Sequence, residues 1–330
     1  MTMLDTATEL RLTKLLASIA EYKASDLHLT VANPPTLRVA DHIQALGDEQ
    51  LLTNDFMMTV AQALLTPEQW QQLELKKDVV TTVTLKGKLR YRLHAYSQQG
   101  NMSLTFRLIP TTVQSLSRRN LPKAITDCLS IRQGLIVIAG EYGSGKTSLL
   151  SGFIEEYNQT LPVHIMTFEQ PIEYIYNDSK SIIEQVALGT DLPDLESALP
   201  RIHQEDVSII AVSALLDAAA IRTILQFVRM GKLVLVELTA PNVQVALESL
   251  VTVFHATEQA NVREELSTGL QAVIALQARS VGGQATLACE VLRRNTAVIN
   301  FIKHETFDKI GLIIENGRSD GMITFDQSIT

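Results

Sequence analysis

The sequence predicts a two-part α/β protein. The larger part is built on a mainly parallel sheet covered by helices, and a smaller α+β part precedes it. Three observations carry that prediction. From residue 134 onward, strand-like apolar runs alternate with helical patterns, at 134–139, 146–157, 163–168, near 195–202, 208–212, 217–229, 232–238 and 242–253. Such alternation is the mark of parallel strands joined by crossover helices. Residues 78–108, by contrast, read as an antiparallel set with period-2 patterning. Finally, the run Leu135 to Ala139 leads straight into Gly140-Glu-Tyr-Gly143-Ser144-Gly145-Lys146-Thr147-Ser148, and Leu149, Leu150 and Phe153 follow at helical spacing. This is the strand–loop–helix context that a phosphate-binding loop requires.

Composition fits that picture. A chain of 330 residues has room for about two domains. Apolar content is 46% and charged content 19%, ordinary for a globular protein. The net charge of −8 argues against nucleic acid as a partner. No apolar run approaches the ~20 residues needed to span a bilayer, and Met1 to Leu12 carries acids rather than the apolar core of a signal peptide. A cytoplasmic location is expected. Cys128 and Cys289 lie in apolar surroundings without metal spacing, so two buried free thiols are expected.

Taken in order, Leu12, Leu15, Leu16 and Ile19 predict an amphipathic helix over 7–23. Leu27, Leu29 and Val31 alternate with Asp26, His28 and Thr30 as a half-buried strand, and Pro34-Pro35 turns the chain into short strands at Thr36 to Val39 and Ile43 to Leu46. Thr53 caps a helix with Phe56, Met57, Val60 and Leu64, and a second helix starts near Pro67. Val79 to Leu85, Leu89 to Tyr96 and Ser103 to Leu108 are the antiparallel strands, the first pair joined at Lys86-Gly87-Lys88. Within them Leu89, Tyr91 and Leu93 share one face, and Arg90, Arg92 and His94 the other. That basic face is either a solvated sheet surface or a functional one. Residues 110–121, with Arg118-Arg119-Asn120, read as a linker. Ala124 to Ile131 is a short helix, and a helix is also expected over 258–270. Ala272 to Ala278 and Ala285 to Leu292 form a hairpin across Ser280-Val-Gly-Gly-Gln284, 295–315 is helical, and the tail after Gly317 is polar.

The chemistry concentrates in the loop. Gly140, Gly143 and Gly145 let the backbone wrap closely enough for N–H groups to face phosphate oxygens. The following helix adds its partial positive charge, Lys146 reaches the outer phosphates, and the Thr147 hydroxyl is placed to ligate Mg²⁺. ATP and Mg²⁺ are the expected ligands.

Several separate motifs resemble the type IV pilus retraction (twitching motility) ATPases of the type II/IV secretion motor superfamily. They are Ala24-Ser-Asp-Leu-His-Leu with Pro34-Pro35 and Leu37-Arg38-Val39, the stretch from Arg90-Tyr-Arg92 to Phe106-Arg107-Leu-Ile-Pro110, the phosphate loop, Thr167-Phe-Glu169-Gln-Pro171-Ile-Glu173, Leu270-Gln-Ala-Val-Ile274, and the tail Gly321-Met-Ile-Thr-Phe-Asp326. The resemblance implies a PAS-like domain over 1–109, a linker over 110–121 and a RecA-like P-loop domain over 122–330. It also implies a hexameric ring of this chain or of this chain with a paralogous motor ATPase, and an inner-membrane platform protein as partner, with the ring peripheral to that membrane. Nucleotide is implied to sit between the domains, with Arg92 and Arg107 at the positions of phosphate-contacting arginines.

The departures from the family's pattern fall on the chemistry. The motif Asp-Ile-Ile-x-x-Gly-Glu-x-Arg-Asp corresponds to Ser208-Ile-Ile-Ala-Val-Ser213-Ala214-Leu-Leu216-Asp217. The catalytic glutamate position is thus Ala214, and the surviving Asp217 also reads as a helix N-cap. Thr-Leu-His-Thr falls on Glu237-Leu-Thr239-Ala240, so the histidine is absent. Pro200 and Gln204 stand at two arginine positions, Gln170 replaces an acid, and Ala297 to His304 departs from the retraction-linked helix. Alanine and threonine supply no base for an attacking water. Glu169 and Glu237, each at the end of a strand, are the candidate carboxylates to position water, and either could hold Mg²⁺ through a water molecule. Glu237 also reads as a helix-capping or salt-bridging acid. The expected activity is therefore that of an accessory or pseudo-ATPase subunit with weak or no hydrolysis. A divergent active motor is the alternative, and a kinase or GTPase is disfavoured by the front 110 residues and the lack of Asn-Lys-x-Asp.

Overall fold

The computed structural model describes residues 4–40, 42–85, 89–110, 112–119, 121–281, 284–305 and 307–329. It has two compact units, Met1–Thr112 with Pro171–Ile175, and Val113–Gln170 with Tyr176–Thr330.

In the first unit, helix α1 (Thr6–Glu21) starts at Asp5, whose carboxylate accepts from the N–H groups of Ala7 and Thr8. Strands β1 (Asp26–Thr30), β2 (Thr36–Val39) and β3 (His42–Ala45) follow, then α2 (Asn54–Leu64) and α3 (Pro67–Lys76). Thr66 and Gln69 close a capping box on α3, and Pro67 supplies the fixed φ of its first turn. Strands β4 (Asp78–Thr84), β5 (Arg90–Gln98) and β6 (Asn101–Ile109) complete a six-stranded sheet in the order β3-β2-β1-β6-β5-β4, antiparallel throughout. One face packs Leu27, Leu29, Leu93 and Phe106 against Leu15, Ile19, Met57 and Val60 of α1 and α2. The alternation expected in β5 is present: Tyr91, Leu93 and Ala95 are buried, and Arg90, Arg92 and His94 are half-buried on the opposite face.

The second unit runs through α4 (Lys123–Thr126), β7 (Gly134–Gly140), α5 (Lys146–Thr160), β8 (His164–Glu169), β9 (Ile182–Ala187), α6 (Leu199–Gln204), β10 (Ile209–Ser213), α7 (Ala218–Arg229), β11 (Leu233–Thr239), α8 (Val243–Thr252) and α9 (Ala256–Gly269). It ends with β12 (Leu270–Val281), β13 (Gln284–Arg293), α10 (Thr296–Lys303), α11 (Ile310–Asn316) and α12 (Phe325–Ser328). The seven strands lie in the order β13-β12-β7-β11-β10-β8-β9, all parallel to their neighbours except β13, which runs antiparallel to β12. This is the P-loop α/β core that the strand–helix alternation predicts. Each face has its own apolar layer. Ile136, Ile138, Ala211 and Leu235 meet Leu149, Phe153 and Tyr157 of α5. Val137, Val212 and Val236 meet Ile224, Phe227 and Leu250 on the other side. Two-sided burial explains why these strands are continuously apolar instead of alternating.

Several elements differ from the sequence reading. Most of the segment read as a linker is part of the second unit: Leu116 is fully buried in a short 3₁₀ turn, and a Cβ on Gly152 of α5 would stand 2.4 Å from it. Strand β9 is not foreseen, because this edge strand leaves Ile182 exposed and carries Glu184 and Gln185. The final helix is two helices, α10 and α11, divided at Glu305 with φ +57°, a left-handed conformation that ends an α-helix. The polar tail holds a fully buried Met322 and bridges Ile323 to Val291. The Lys86-Gly87-Lys88, Asn120 and Gly282-Gly283 turn residues lie outside the described residues.

Candidate functional site

The carboxyl ends of β7, β11, β10 and β8 assemble the site. At the end of β7 the chain turns through Gly143 and Gly145, with φ +79° and +94°, conformations that side-chain-bearing residues adopt only with strain. Gly145 is also the N-cap of α5, so the loop closes directly onto a helix N-terminus, a ready anion site. Ser144 is 6% exposed, and its hydroxyl has no hydrogen-bond partner. A Cβ on Gly140 would stand 2.3 Å from this hydroxyl, so the loop folds this tightly only with glycine there. Lys146 is 8% exposed and donates to the Glu141 carbonyl at 2.8 Å. Burial pushes its ammonium down from the ordinary lysine value, and the charges of Glu237 and Glu141 oppose that shift. These features fit a polyphosphate.

Glu237 lies on β11, beside β7, where it is in register with Ile138. Its Oε1 accepts a hydrogen bond from Thr147 Oγ1 at 2.8 Å, and its Oε2 accepts one from Ser213 Oγ at 2.7 Å. It caps no helix, since α8 is capped by Asn242. The Thr147–Glu237 pair suits a cation: a hydroxyl that gives its one proton to a carboxylate keeps its lone pairs for a metal. Glu169 ends β8 and is 6% exposed; its Oε1 accepts from Thr167 Oγ1 at 2.7 Å and Gln185 Nε2 at 3.0 Å. Ala214, Leu216 and Thr239 bring no base. Asp217 is the N-cap of α7, accepting from the Ala220 N–H at 2.8 Å. A cleft of about 260 Å³ opens beyond the end of β10, lined by residues including Gln170, Leu188, Ala214, Leu216 and Asp217 and by none of the phosphate loop.

The sequence model of the "Type II/IV secretion system protein" family matches residues 5–290. The chain belongs to this family. It is 28% identical over 319 residues to the type IV pilus retraction ATPase PilT of Pseudomonas aeruginosa, covering 96% of this chain and 92% of that one. It is 29% identical over 297 residues to a twitching motility protein of Neisseria gonorrhoeae, covering 89% and 79%. Among solved structures, the pilus retraction motor PilT with bound ADP superposes with a TM-score of 0.78 at 28% identity, covering 96% of this chain and 95% of that one. No described helix is long and apolar enough to cross a membrane.

The remaining residues singled out by family position lie in the first unit. Arg107 makes a two-point ion pair with Asp26, through Nε to Oδ1 at 2.8 Å and Nη2 to Oδ2 at 3.0 Å. Arg92 Nη1 donates to Glu173 Oε1 at 2.7 Å, and Arg90 donates to the carbonyls of Ile172 and Glu173. Both thiols are buried and free. Burial pushes Cys128 up to about 11 and Cys289 up to about 12, which makes them inert near neutral pH. Sequence reasoning passes over Ser213 and Gln185, the side chains that hold Glu237 and Glu169. The signal for Ser213 is its place at the end of an apolar strand, at a glycine position of the family motif.

Proposed function

We infer that this chain is an ATP-binding motor-family subunit of a type IV pilus or type II secretion-like machine, with slow or absent hydrolysis. Gly140, Gly143, Ser144, Gly145, Lys146, Thr147 and Ser148 hold the phosphates of ATP, and Thr147 with Glu237 holds Mg²⁺. The ion, when bound, neutralises phosphate charge. The Thr147–Glu237 hydrogen bond carries the reading. It keeps a carboxylate at the cation side of the loop, while Ala214 and Thr239 leave no base where the family's motifs place one. Glu237 and Glu169 each spend carboxylate lone pairs on neutral donors, which disfavours either as the base for water. Of the two arginines, Arg107 has a framework role on Asp26. Arg92, single-bonded to Glu173, is kept as a phosphate contact.

Family membership supports the rest of the reading: assembly into a hexameric ring with itself or a paralogous motor ATPase, and action against an inner-membrane platform protein from the cytoplasmic side. ATP binding and steady-state phosphate release on the purified chain, alongside Lys146→Ala, Glu169→Ala and Glu237→Ala, test the proposal. The expected result is ATP binding that Lys146→Ala abolishes, with no turnover above that variant. Turnover that vanishes with one glutamate would establish the active-motor alternative instead.

A further inference from the structure

Two departures from the family's motifs touch each other. Ser213 stands at a glycine position on β10 and Glu237 at a threonine position on β11, and their side chains meet at 2.7 Å. Register explains the contact. Ser213 is opposite Glu169 on β8, while Val212 is opposite Val236 on β11, which brings Ser213 beside Glu237. Both follow the face of Ala211 and Leu235, the face packed under α5. The backbone of Ser213 is fixed as well, its carbonyl accepting from the Gln170 N–H at 2.9 Å.

We propose that Ser213 and Glu237 form a relocated acid for the metal side of the phosphate loop, the carboxylate supplied by β11 and held in place by a hydroxyl from β10. A glutamate side chain has three rotatable torsions, and a half-buried one needs two anchors to keep a single orientation. Ser213 is one anchor and Thr147 the other. With Oε2 held by Ser213, Oε1 accepts the hydrogen bond that Thr147 Oγ1 donates, which turns the lone pairs of Thr147 Oγ1 away from Glu237, toward a cation. Ser213 is thus a positioning residue that acts through Glu237. The inference rests on the nucleotide reading above and adds that the chain has rebuilt its cation site on a neighbouring strand while leaving the base position empty.

The test is ADP binding by titration calorimetry, with Mg²⁺ and with EDTA, for the full chain and for Ser213→Gly, Ser213→Ala, Ser213→Thr, Glu237→Gln and Lys146→Ala. Ser213→Gly and Ser213→Ala are expected to weaken binding roughly 10-fold in Mg²⁺ and to leave the EDTA affinity unchanged, the scale seen when outer-shell partners of metal ligands are removed. Ser213→Thr keeps the hydroxyl and retains wild-type behaviour. Glu237→Gln weakens Mg²⁺-dependent binding at least as much, and adding Ser213→Ala to it changes nothing more, because the two act as one unit. Wild-type Mg²⁺ affinity in Ser213→Ala, or an equal loss with and without Mg²⁺, would overturn this proposal alone. Unchanged affinity in Lys146→Ala would overturn the nucleotide reading beneath it.

Discussion

The two sheets hold their charged side chains in different ways. On the basic face of the antiparallel sheet, charges meet opposite charges: Arg107 on Asp26 and Arg92 on Glu173. At the carboxyl edge of the parallel sheet, charges meet neutral groups: Glu237 is held by two hydroxyls and Lys146 by a backbone carbonyl, and no ion pair within 4.0 Å involves either among the described residues. A charge paired with its opposite is already neutralised and serves the framework. A charge held by dipoles keeps its field for something else. The difference teaches that a side chain's partners bear on its role as much as its residue type does: Arg107 is committed to Asp26 through two bonds, while Lys146 and Glu237 are held without being neutralised.

The sharpest break of that comparison is Lys146→Ala. Removing the buried ammonium should lower ATP affinity by about 100-fold, the scale for losing one partner of a desolvated charge contact. Thermal stability without nucleotide should hold or rise, since burial of this charge opposes folding. Calorimetry and thermal unfolding on the same samples check both halves.

Asp26→Asn is the mirror experiment, with stability lost and binding kept. Burial alone would raise the Asp26 carboxyl, but the Arg107 guanidinium and the Ser25 hydroxyl outweigh burial and hold it below the usual value. The folded-state pKa is depressed. The pair's stabilisation is therefore complete above the unfolded value near ~3.9 and is lost as pH falls through the folded value. The variant should lose about 2 kcal/mol near neutral pH, below the usual figure for a fully buried pair because Arg107 is 27% exposed. Its stability should also fall less steeply on acidification than the wild type's. Trp70, the chain's one tryptophan, lies in α3 of the same unit, so its fluorescence in urea reports that unit.

How much of this was legible in the sequence follows from the range of each contact. The phosphate loop is contiguous, and its strand and helix flank it, so Gly140 to Ser148 could be read directly. The parallel sheet could be read because two-sided burial makes each strand apolar along its length. The Ser213–Glu237 contact could not, because it depends on β10 and β11 being neighbours across the sheet although α7 separates them in sequence. Arg92 and Glu173 meet across a still longer separation. Strand β9 escaped because a half-exposed edge strand bearing Glu184 and Gln185 has little apolar pattern. The resemblance places Arg92 and Arg107 at phosphate-contacting positions, and it gives no sign of the partners they have in this chain, Glu173 and Asp26.

Ala214→Glu sharpens the comparison from the side of what is missing. Ala214 lines the cleft of about 260 Å³, so a glutamate can be accommodated without displacing a packed core residue. If the empty base position limits turnover, phosphate release should rise by about 10-fold, and further with Thr239→His, toward the ~10²–10⁴-fold that a positioned base contributes. ATP affinity should stay within a factor of about two, since no phosphate contact changes.

The smallest effect separates the charged sites from plain packing. Gly152 lies on α5, beneath the loop, and a Cβ there would stand 2.4 Å from Leu116 Cδ2 and 3.4 Å from the Gln114 carbonyl. Gly152→Ala should destabilise the second unit by about 1 kcal/mol, the low end of overpacking, because a leucine methyl can turn aside and alanine favours the helix. Neither ATP affinity nor its Mg²⁺ dependence should move. A shift in either would mean that the segment before α4 is coupled to the phosphate loop through α5, so that the loop's geometry is set by packing behind it as well as by the hydroxyls and glycines around it.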